Sequence, residues 1–71
     1  MTDKNGVTVT AGSRCRFYFD LQKEWIEGTV RHTRLMSYYN KFEQRDDIWE
    51  AMVDGTHSAT WVTSAEIEVV T

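Results

Sequence analysis

Apolar and polar residues alternate in short runs along this chain, and each run ends at a turn signal. Cys15, Phe17 and Phe19 share one parity and Arg14, Arg16 and Tyr18 the other. A period of two marks a half-buried strand, so a first strand is predicted over Arg14 to Phe19. A second is predicted from Trp25 to about Thr33, with Ile26, Gly28, Val30 and His32 on one face and Trp25, Glu27, Thr29 and Arg31 on the other. A glycine in mid-strand points to a bulge or a close backbone approach at Gly28. The third strand runs Ile48 to Val53, with Trp49, Ala51 and Val53 on one side. Ser58 to Val62 and Ile67 to Val70 supply the last two. The expected core is Cys15, Phe17, Ile26, Val30, Ala51, Val53, Ile67 and Val69.

The punctuation agrees with five strands. Ala11-Gly12-Ser13 reads as a turn, Asp20 to Glu24 as a polar loop, and Asp54-Gly55 as a hairpin turn in which Gly accepts a positive φ. Thr63-Ser64-Ala65 reads as a single helical turn, capped by a hydroxyl of Thr63 or Ser64. Residues 34–46 are a long connection for a small barrel and contain neither Gly nor Pro. Leu35, Tyr38, Tyr39 and Phe42 sit at helical spacing, so a short helix and an extended hairpin are both open there. Residues 1–11 read as a flexible N-terminal arm or an edge strand, and 12–71 as the barrel.

A chain of 71 residues is short. It buries only about 60% of the surface its unfolded form exposes, so its stability is expected to be marginal. With a single cysteine it has neither an internal disulfide nor a Cys-based zinc site, and Cys15 reads as a small buried hydrophobe. No apolar run follows the first residues, so no secretory leader is expected, and no stretch is long enough for a membrane span. The expected setting is the cytoplasm. Net charge is −3, with every Lys and Arg within residues 1–45, while Asp46, Asp47, Glu50, Asp54, Glu66 and Glu68 stand in a second part with no base. Cross-strand pairing of Arg14, Arg16 and Arg31 with the late acids is expected.

Gly12-Ser13-Arg14-Cys15, Phe19, Trp25-Ile26-Glu27-Gly28-Thr29-Val30, Val53-Asp54-Gly55 and Thr63-Ser64-Ala65-Glu66-Ile67 together resemble the SH3-like barrel of the Tudor type, over roughly residues 12–70. The resemblance implies an all-β, five-stranded barrel with an insert between strands two and three. Tudor domains that read methylated Lys or Arg use an aromatic cage, whose rings attract the cation. The resemblance puts Phe19 and Trp25 at two cage positions and the non-aromatic Val53 and Thr56 near the others. Gly12, Arg14-Cys15-Arg16, Trp25, Gly28 and Val30 also resemble plasmid-type (type II) dihydrofolate reductase, a tetramer of small barrels. Its active strand reads Val-Gln-Ile-Tyr, and the matching segment here is Ala59-Thr60-Trp61-Val62, without the Gln and the Tyr.

No phosphate-binding glycine loop or nucleophile elbow is present. His32 and His57 lie on different elements, and Asp46-Asp47 reads as a solvated strand entry, so no catalytic residue, metal or cofactor is assigned. The expected function is a non-catalytic module that binds a protein or peptide. Small acidic stand-alone chains of this kind often belong to phages or mobile elements and dock on a host protein. The expected partner-binding residues are Tyr18, Trp25, Met36, Tyr38, Tyr39 and Phe42, since Tyr and Trp make good anchors. Self-association through the 34–46 segment is a further expectation. The alternatives are nucleic-acid binding, with Arg14, Arg16, Arg31 and Arg34 on phosphates, and an oligomeric reductase of the type II kind.

Overall fold

The computed structural model describes residues 1–56 and 58–70. It is all-β, with β1 Arg14–Phe19, β2 Glu24–Tyr39, β3 Arg45–Asp54, β4 Ala59–Thr63 and β5 Glu68–Val69. Neighbouring strands are antiparallel in one sheet ordered β4-β3-β2-β1-β5. The sheet does not close on itself: among the described residues β4 pairs with β3 alone and β5 with β1 alone. Before β5 the chain makes one helical turn, in which the N–H groups of Glu66 and Ile67 donate to the Thr63 carbonyl. The Thr63 hydroxyl donates to the Glu66 carboxylate at 2.7 Å.

The core comprises Val9, Cys15, Phe17, Val30, Ala51, Val53, Val62 and Ile67. Six of these were expected from alternation; Ile26 and Val69 instead pack partly buried at its margin. Val62 enters because β4 pairs Val62 with Ala51, which puts it on the face that carries the core.

Val9 comes from the stretch before β1, which wraps the β5 edge. Thr2 bridges Thr8, and the Lys4 N–H donates to the Ile67 carbonyl. Asp3 is buried, and its carboxylate accepts N–H groups from Asn5 and Val7 on Oδ1 and from Val69 on Oδ2, each at 2.8 Å. Burial alone would push this carboxyl up. The backbone donors of Val69, Val7 and Asn5, with Lys4 nearby, outweigh it and hold the carboxyl below its ordinary value.

Two backbone features shape β2. At Gly28 a Cβ would lie 2.8 Å from a Val53 methyl and closer still to the Asp54 carbonyl oxygen, so here the glycine marks a close crossing of β2 and β3. Gly28→Ala is expected to cost about 1–3 kcal/mol, because backbone rather than a flexible side chain must give way. An unshifted urea midpoint would show that the crossing is looser than this.

The bulge lies further along, where the β2–β3 register shifts between Val30 and His32. One extra residue reverses the face of everything after it. His32, expected beside Val30, is therefore exposed on the opposite face. The Asp54-Gly55 expectation is corrected as well. Gly55 does not take a positive φ, and the turn closes through its N–H on the Ser58 carbonyl at 2.9 Å. His57, in that turn, lies outside the described residues.

Residues 34–46 contain no helix. They are the far half of the β2–β3 hairpin, in register from Arg34↔Glu50 to Tyr39↔Arg45. The tip needs neither Gly nor Pro because Asn40 builds it. Its side-chain oxygen accepts the N–H groups of Phe42 and Gln44, and Glu43 takes the left-handed conformation at φ 60°.

Candidate partner-binding surface

Beyond the β1 pairing, which ends at Thr29, and the β4 pairing, which begins at Glu50, the hairpin continues as a two-stranded arm. Its two faces follow from the alternation. The inner face, continuous with Val53 and Ala51, carries Trp49, Asp47 and Arg45 on β3 and Thr33, Leu35, Ser37 and Tyr39 on β2. The outer face carries Glu50, Ile48 and Asp46 opposite Arg34, Met36 and Tyr38.

Both faces mix large apolar side chains with charged and polar ones, and Leu35, Trp49, Tyr38, Tyr39 and Phe42 are all exposed, Tyr39 at 73% and Phe42 at 71%. Trp49 has the parity of the core residues Ala51 and Val53, yet it lies past the core's edge and stands 40% open. Alternation reports the face of a residue but not how far along the strand the core extends.

Polar contacts hold the arm's shape. On the outer face the Arg34 guanidinium lies 3.6 Å from the Trp61 ring centroid and donates to Glu50 at 2.9 Å, while the Tyr38 hydroxyl reaches both Glu50 oxygens at 3.4 Å. His32 packs edge-on to Trp61 at 5.1 Å. On the inner face the Asp47 carboxylate accepts the Ser37 hydroxyl at 2.8 Å and the Arg45 guanidinium at 2.9 Å, and these two donors hold its carboxyl below its ordinary value.

Tyr18 and Trp25 form a separate surface, since Trp25 and Tyr38 stand near opposite ends of β2. Their rings meet edge to face at 5.7 Å, with Arg16 5.1 Å and Lys4 5.6 Å from the Trp25 ring. Of the six expected binding residues, the structure thus brings Met36 and Tyr38 to one face of the arm and sets Tyr39 on the other. Phe42 lies at the tip, and Tyr18 and Trp25 lie apart.

Each of the four candidate phosphate-binding arginines is paired with an acid. Arg14 meets Glu27 at 3.2 Å, Arg16 meets Glu68 at 3.2 and 3.3 Å, Arg31 meets Asp54 at 3.0 Å, and Arg34 meets Glu50. Glu68 is held below its ordinary value, first by the Arg16 hydrogen bonds.

A cleft of about 390 Å³ lies between the start of β2 and the β3–β4 turn. Phe19, Trp25, Val53 and Thr56 all line it, so the four cage-like positions do meet, with two rings rather than four. Among the described residues no group of three or more His, Cys, Asp or Glu side chains is placed to hold a metal ion. The Cys15 thiol is fully buried against the Gly28 carbonyl at 3.7 Å, and burial pushes its pKa up, which disfavours the reactive thiolate. Among the described residues no helix is long and apolar enough to cross a membrane. Compared with known proteins, the chain matches no family model, no curated protein and no solved structure.

Proposed function

We propose that this chain is a non-catalytic protein-binding module, a five-stranded barrel of the SH3-like, Tudor-resembling kind, whose contact surface is the β2–β3 arm. The observation that carries the reading is the arm itself. A domain with so small a core would bury large apolar side chains for its own stability wherever it could, yet Leu35, Tyr39, Phe42 and Trp49 stand exposed on the arm. Arg45, Asp47 and Lys41 supply the polar rim common at interfaces. The strand order, the helical turn before β5 and the close crossing at Gly28 support the barrel reading.

The nucleic-acid alternative has less support, because every arginine it would use already serves a carboxylate. The reductase alternative places its active strand at Ala59–Val62, where Trp61 lies under Arg34 and beside His32.

The test is affinity capture from the encoding cell, with and without nuclease, comparing wild type with Tyr39→Ala/Phe42→Ala. Both side chains are exposed, so the variant should melt with the wild type. The expected result is a nuclease-resistant protein partner that the wild type retains and the variant loses. Retention by both, or capture that nuclease abolishes and rising salt weakens, would overturn the reading.

A further inference from the structure

The arm offers a sheet edge as well as two faces. In an antiparallel pair, residues alternate between those that exchange backbone bonds with their partner and those that turn N–H and C=O the other way. The Asn40 N–H donates to the Gln44 carbonyl at 3.1 Å, which sets the phase at the tip. Stepping back along the register, Tyr38, Met36, Arg34 and His32 bond to β3. Thr33, Leu35, Ser37 and Tyr39 turn their backbone groups outward. The opposite side of the hairpin confirms the phase: Trp49, the partner of Leu35, accepts the Ser64 N–H on the side away from β2.

Nothing among the described residues covers this edge beyond Val30, whose N–H donates to Ser13 and whose carbonyl accepts from Gly12. The β5 edge is treated differently, capped by the Asp3 carboxylate and the Lys4 N–H. Sheet edges are usually protected by Lys, Pro or inward charge. From Thr33 to Tyr39 the β2 edge carries none of these. Its one charge, Arg34, is already bound by Glu50 and stacked on Trp61.

We propose that the occupant of this edge is a second copy of the chain, paired antiparallel through Thr33 to Tyr39 about a two-fold axis at Met36. The proposal rests on the reading of the arm as the contact surface and names a partner for it. The sequence is self-complementary in that register. Thr33 meets Tyr39 of the second copy and Leu35 meets Ser37, so all four outward-turned residues find a backbone partner. Moving the axis by one residue to either side leaves one of them facing the Arg31 bulge or the tip. Arg34 falls opposite Tyr38, and no two like charges face each other. Because the axis runs perpendicular to the sheet, inner face continues into inner face. Leu35 of the two copies become diagonal neighbours, and the exposed Leu35, Tyr39 and Trp49 of both form one apolar strip. The closed two-fold uses the same patch on both copies, so it ends at a dimer.

The register makes Met36 a marker, since it faces its own copy as a non-bonded pair with Cα atoms about 4.5 Å apart, within disulfide reach. The expected mass of the full chain by sedimentation velocity is twice the 8.3 kDa monomer. Ser37→Pro removes an outward N–H, the position at which an edge strand tolerates proline, and should halve the mass while leaving the circular dichroism spectrum unchanged. Met36→Cys in a glutathione exchange buffer should give a cross-linked dimer on a non-reducing gel, and Tyr38→Cys, opposite Arg34, should not. Cys15 is buried and does not compete. A wild type that stays monomeric up to about millimolar concentration overturns the proposal, as does a Ser37→Pro dimer or equal cross-linking by the two cysteine variants. A monomer that still captures a partner through Tyr39 and Phe42 defeats the self-pairing alone. A Met36-linked dimer that captures nothing defeats the proposed function alone.

Discussion

Phe17→Ala is expected to lose about 3–5 kcal/mol of stability, the usual cost of truncating a buried aromatic. Phe17 is 4% exposed and lies on β1 between the core residue Cys15 and the ring of Phe19, which it meets edge-on at 6.5 Å. Phe17 also pairs across the sheet with Ile26. Its removal leaves a cavity that two strands border and neither can close without breaking the β1–β2 register. At roughly 0.05–0.15 kcal/mol per residue, a domain of this size holds only about 4–10 kcal/mol in all. The loss is a large share of that total, so the urea midpoint should fall steeply, and at the low end of the range the variant unfolds at room temperature. A variant whose midpoint matches the wild type would show that this face of β1 does not face the core.

Asp3→Asn is the second large effect, with an expected loss of about 3 kcal/mol at neutral pH. Three backbone N–H groups end on this carboxylate, and hydrogen bonds to a charged group are each worth more than neutral ones. An amide offers one acceptor oxygen in place of two and turns an N–H₂ toward one of the donors. The pH dependence identifies the cause. The folded-state pKa of Asp3 is lowered from its ordinary 3.8, so the unfolded chain takes up a proton first as pH falls. The stabilisation is fully present above the unfolded value and is lost as pH drops through the folded one. Wild type and variant should differ most at neutral pH and converge as the pH falls through the lowered folded-state value. Asp47 and Glu68 are also lowered, but both are common to the two proteins and cancel in the comparison. A gap that stays constant with pH would mean that Asp3 acts through packing rather than charge.

Much of the fold was legible because a strand writes its faces into the sequence. Arg14–Phe19 emerged with the expected bounds and the expected buried side. The other strands differed mainly in length. β2 runs on to Tyr39 and β3 begins at Arg45, because a hairpin arm can continue as long as its two strands pair, whether or not a core lies beneath them. The aromatic stripe at Leu35, Tyr38, Tyr39 and Phe42 fitted a helix in spacing alone. Its members divide between two faces and a tip. The candidate site was legible in composition, since Met36, Tyr38, Tyr39 and Phe42 do stand on the arm. The arrangement was not legible: Leu35 and Trp49 stand on the same arm, while Tyr18 and Trp25 lie near the other end of β2.

What the sequence determined by itself was local: the number of strands, the place of the turn before β1 and of the loop after it, the buried side of β1 and β3, and a single cysteine, too few for an internal disulfide or a thiolate-zinc site. Each depends on neighbours within a few residues, where alternation and turn chemistry act directly. Tertiary structure decided everything that depends on a distant partner. The bulge after Val30 turned His32 outward onto Trp61, and only β3 and β4 together show that. Asp3 looked like part of a polar terminus until Val69, at the other end of the chain, gave it a donor. Arg16 and Arg31 were expected to meet late acids and pair with Glu68 and Asp54, but Arg14 meets Glu27 on the neighbouring β2 instead, which only the β1–β2 register decides. The arm's free edge exists because β1 stops pairing at Thr29 while β2 continues, and one strand's pattern cannot record where its neighbour ends.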